Sequence, residues 1–183
     1  MKKLIFALMF TLAAFCGVQA QDGAMKFNGL VAEYTGDNAQ AKAAAESLKA
    51  KLPAVAQKFG WVVGREYLTI DQTGEVVFVS GENGAKKTSG QIYAFDQLTD
   101  AIVLGASMEI GKSNYDLEAT IKMTEDQKGA NLFFPTQAII NVVMNMIPDA
   151  GNDAALMEVY NVLMQYPDIK LGMGITADFA AMM

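Results

Sequence analysis

Alternation of apolar and polar residues dominates the chain. Over residues 114–123, Tyr115, Leu117, Ala119, Ile121 and Met123 alternate with Asp116, Glu118, Thr120 and Lys122. A period of two predicts an antiparallel strand with one face on a core and the other in water. Ile169, Leu171, Met173 and Ile175 repeat the pattern near the end, and residues 100–110 set Ile102, Leu104, Met108 and Ile110 on one side. Residues 61–70 and 75–80 are rich in Val and aromatics on both faces, as strands covered on both sides are. Asp71-Gln72-Thr73-Gly74 between them is a hairpin signal. Residues 25–35, 88–95 and 130–134 complete about eight predicted strands, at the spacing of an all-β barrel or sandwich.

Two stretches switch to helical period. Asp37, with Gln40 three residues on, predicts an N-cap, and Ala41, Ala44, Leu48, Leu52, Val55 and Phe59 then form one stripe. Pro53 is expected to kink or divide that helix, and Gly60 to end it. Residues 136–166 read as a helical hairpin. Ile139, Ile140, Val143, Met144 and Ile147 pack one limb, and Leu156, Val159, Tyr160 and Leu163 the other. Its turn is Pro148-Asp149-Ala150-Gly151, Asn152 or Asp153 caps the second limb, and Pro167 stops it.

The first twenty residues follow a different logic. Lys2 and Lys3 precede an apolar stretch from Leu4 to Phe15, and Val18-Gln19-Ala20 offers small residues for cleavage. That is the order of a secretory signal peptide, too short to span a bilayer. Residues 1–20 are thus expected to be a leader and 21–183 a single domain, periplasmic or extracellular. A lipoprotein reading through Cys16 is disfavoured by the bulky Phe15 before it. Cleavage after Ala20 removes the lone cysteine together with Lys2 and Lys3. It leaves 12 cations against 20 anions, a balance of −8 where the whole chain carries −6.

Composition narrows the chemistry. An acidic chain without a cationic stripe is expected not to bind nucleic acid. The absence of histidine from the sequence removes His-based triads and most zinc sites. Asp96 with Asp100, or Asp116 with Glu118, are the conceivable acid–base pairs, but the second pair sits on the wet face of its strand. The sequence predicts no catalytic residue, no metal site, no cofactor and no membrane-spanning segment in the mature chain; the protein is expected to be a monomer and not an enzyme.

Three motifs in order carry a resemblance. Gly29 leads, four residues on, into Tyr34-Thr35-Gly36-Asp37-Asn38-Ala39-Gln40-Ala41-Lys42-Ala43. Tyr93-Ala94-Phe95-Asp96 and Tyr166-Pro167-Asp168-Ile169-Lys170-Leu171-Gly172 follow, with Lys51-Leu52-Pro53 between. Together they resemble a family of secreted, lipocalin-like bacterial domains of unknown function. The resemblance implies an antiparallel up-and-down barrel, mainly β, exported from Gram-negative cells. One helix would follow the first strand and a helical hairpin precede the last. It brings no catalytic residue.

A barrel of this size either fills with side chains or encloses a ligand. The expected inward positions are Tyr93, Phe95, Ile102, Leu104, Tyr115, Leu117, Ile121 and Met123, either as plain core or as the wall of an apolar pocket. Met144, Met157 and Met164 of the hairpin are candidates for a lid, since a flexible thioether suits an adaptable apolar surface. Two functions stay open. One is a carrier or sensor of a small hydrophobic molecule, which the architecture favours by analogy. The other is a non-enzymatic interaction module with a filled barrel and an envelope-protein partner.

Overall fold

The computed structural model describes residues 24–176 apart from 72, 99–100, 111–112, 127 and 148. The expected leader, Cys16 and Asp100 therefore lie outside the described residues. Eight antiparallel strands close into a barrel in chain order. They are β1 (Met25–Glu33), β2 (Tyr67–Ile70), β3 (Glu75–Ser80), β4 (Lys86–Gln97), β5 (Ile102–Ile110), β6 (Ser113–Met123), β7 (Gly129–Phe134) and β8 (Lys170–Thr176). Helix α1 (Ala39–Lys58) follows β1, and α2 (Thr136–Met146) and α3 (Ala154–Gln165) separate β7 from β8.

Closure is made by β8 returning to β1, with Lys26 opposite Thr176 and Glu33 opposite Lys170. Phe134 faces Leu171 across β7 and β8. The strand ends that feed all three helices therefore gather at one end of the barrel. Two apolar clusters result. One lies inside the barrel and includes Met25, Phe78, Ile102, Ile121 and Leu132. The other joins α1 and α3 to β1 and β8 through Leu48, Leu52, Leu163, Ile169 and Leu171.

Two sequence expectations fail locally, and of the kink or division expected at Pro53 the division does not occur. Asn38, not Asp37, caps α1: its Oδ1 accepts the backbone N–H of Gln40 at 2.9 Å and of Ala41 at 3.2 Å. Pro53 lies inside an undivided α1. The carbonyl that loses its helical partner belongs to Lys49, one turn earlier, and both residues are exposed, so the gap lies on the solvent side of the helix. The strand expected over 61–70 is confined to Tyr67–Ile70. Residues 61–66 form a connector instead, bracketed by Gly60 and Gly64 at positive φ.

That connector is fastened by a buried carboxylate. Glu66 is 1% exposed. Its Oε2 accepts the Val62 N–H at 2.6 Å, and its Oε1 accepts Arg65 Nε at 2.8 Å and the Gly81 N–H at 3.3 Å. Burial pushes the Glu66 carboxyl up, but the bonds from Arg65, Val62 and Gly81 outweigh it and hold the group below its ordinary value.

Candidate functional site

An apolar cavity of about 270 Å³ runs from the barrel interior to the underside of the helices. Its lower wall is the inward face of the strands, including Ile70, Val76, Phe78, Leu104, Leu117, Ile121 and Leu132. Its roof is helical, with Leu52 and Val55 from α1, Ile139, Ile140 and Val143 from α2, and Leu156 and Val159 from α3. Period-two strands aim every second side chain inward, and helices lay their stripes across the end where their strands converge.

Trp61 stands in this wall and fixes it. Its ring stacks on Phe59 at 4.7 Å between centroids and meets Phe27 and Phe78 edge-on at 5.6 and 5.1 Å. Edge-to-face and offset stacking are the favoured aromatic geometries, and they hold the connector against β1 and β3. The Glu66 clasp lies five residues on, so one short segment both closes the wall and is locked in place.

The predicted inward residues divide. Leu104, Leu117 and Ile121 lie on the cavity wall. Ile102 is buried in the barrel cluster and Met123 packs against it, but neither is on that wall. Tyr115 is half-buried opposite Met108 and also misses the wall. The side chain of Phe95 lies outside the described residues, although its backbone pairs with Leu104.

Tyr93 is a correction: it is 62% exposed. The register of β4 on β5 slips between Ile92 and Ala94, so Tyr93 is the extra residue of a bulge and turns outward. Ile92 takes the inward position and lines the cavity. The Tyr93 ring lies over Gly105, where an added Cβ would stand 2.8 Å from its Cε2.

Lid candidates divide as well. Met144 lines the cavity while remaining 45% exposed. Met157 is half-buried and off the wall, and Met164 is 57% exposed in a more polar outer groove beside Tyr34, Pro167 and Lys170. The reason is helical phase. α3 buries Leu156, Val159 and Leu163, and each methionine follows a buried leucine by one residue, a rotation of about 100° away from the core.

Sequence reading missed Trp61, Phe78 and Ile92 as wall residues. A lone tryptophan directly after the helix-ending Gly60 was the available signal for the first. Nothing in the alternation marks the bulge that exchanges Ile92 for Tyr93.

The acidic residues Asp96, Asp116 and Glu118 are exposed. Among the described residues, no helix is long and apolar enough to cross a membrane. The structure thus defines a mainly β protein, a closed eight-stranded antiparallel barrel with an apolar cavity roofed by helices. No family model matches the chain, and no curated protein or solved structure matches it.

Proposed function

We propose that the protein is an exported, lipocalin-like carrier or sensor of a small hydrophobic molecule, held in the barrel beneath the α2–α3 hairpin. The cavity is the observation that carries this reading. Apolar side chains that face a cavity lack packing partners on that side. Burial of an apolar guest supplies those partners, and the wall has the concave, greasy character of small-molecule sites.

Helix α2 supports a gating role. Its sequence, TQAIINVVMNM, carries no charge, and none of its described side chains is fully buried. It begins after Pro135 with no side-chain cap. A helix with few buried contacts and no capping bond opens more readily than the strands beneath it. Movement of α2 alone would uncover the wall without breaking the sheet.

Native mass spectrometry of protein purified from its own cell envelope tests the reading. A population heavier by one lipid-sized mass, released on collisional activation, is the expected result. A uniform ligand-free mass from gently extracted material would overturn the carrier assignment.

A further inference from the structure

We infer that the guest is an uncharged lipid bearing an acceptor oxygen, such as a medium-chain alcohol or ester, and not a fatty-acid anion. The inference rests on the container reading above and adds the chemical class of its contents. Among the described residues the cavity wall contains no Asp, Glu, Lys or Arg. Arg65, in the connector that carries Trp61, gives its guanidinium to Glu66 and to the Gly60 carbonyl. A carboxylate drawn into this cavity would therefore be a buried, unpaired charge, the most expensive group to remove from water.

The wall is not featureless, however. Trp61, Thr88 and Tyr160 are its N–H and O–H bearing side chains, and all three are half-buried. None of the three makes a side-chain hydrogen bond with another described residue. Indole N–H donates only, and the two hydroxyls donate as readily as they accept. A guest that brings a neutral acceptor oxygen can accept from a group of this kind. A pure hydrocarbon answers none of them, and an ammonium has no anion to meet.

Size narrows the class further. The cavity of about 270 Å³ lies at the lower end of the range of small-molecule pockets. That fits one medium-length chain and excludes a two-chain phospholipid from complete enclosure.

Displacement of N-phenyl-1-naphthylamine, an uncharged fluorescent probe, from delipidated full-length protein tests the class at pH 7.5. The expected result is that 1-decanol and methyl decanoate displace the probe at concentrations at least about tenfold lower than decanoate does. Decanoate equal to or tighter than the alcohol overturns the neutral class while leaving the container reading intact. If the probe does not bind and none of the three ligands protects the fold against heat, the container reading itself falls. The double variant Thr88→Val, Tyr160→Phe is expected to weaken methyl decanoate about fivefold more than it weakens the probe. An equal effect on ester and probe would overturn the role of these hydroxyls. The comparison of ligands on the unmodified protein stands even if that variant fails to fold.

Discussion

Glu66 shows how much a single side chain decides here. Removing a carboxylate from water is unfavourable, yet four nearby N–H groups, two of them from Arg65, make the charged form the better one. Because the folded value lies below the ordinary 4.5, Glu66 stabilises the fold above that pH. Its contribution disappears as pH falls through the lower folded value. Glu66→Gln keeps the shape but loses the charge-assisted bonds, and is expected to lose about 2 kcal/mol at pH 7. Urea midpoints of the two proteins should converge as the buffer is taken below pH 4.5. A gap that stays constant with pH would remove Glu66 from the account of acid stability.

Among the elements, legibility followed the regularity of the pattern. β6 and β8 were plain in the sequence because each alternates without interruption, and the hairpin was plain because its two stripes are separated by Pro148 to Gly151. What stayed hidden was the non-local part. The β4 bulge depends on how β5 pairs with it, and the end of the predicted 61–70 strand depends on a carboxylate that reaches back to Val62 and across to Gly81. The cavity itself was legible only as a set of inward positions, since whether side chains fill a space is a property of the opposite wall. Asp153 was legible in part, as one of two candidate caps beside Asn152, while its ion pair with Lys58 was not. It caps α3 by accepting from Ala155 and Leu156, and pairs with Lys58 at the end of α1 at 2.7 Å. Asp153→Ala is expected to lower the melting temperature by about 2–4 °C and to loosen α3 first, as slowed amide exchange in its opening turn is lost.

At the scale of the whole molecule, the barrel and the helices form one apolar interior with an unfilled centre. Ala106, on the inward face of β5, lies on its wall beside the pairing position of Leu117. Ala106→Phe should place a ring in that space, raise the thermal stability of the ligand-free protein by about 1–2 kcal/mol and abolish probe binding. Calorimetry and probe titration on the same sample would check both at once. A variant that is destabilised instead would mean that the wall is already packed at that point.

The pairing of Lys26 with Thr176 has a further meaning. A ring of strands joined neighbour to neighbour has no beginning of its own, and the chain's first and last strands are simply where the ring has been cut. Where neighbouring strands pair, the ring offers no template for fibrils; that protection is missing on one side of β1 beyond Lys26 and of β6 before Thr120, where no neighbouring strand is paired.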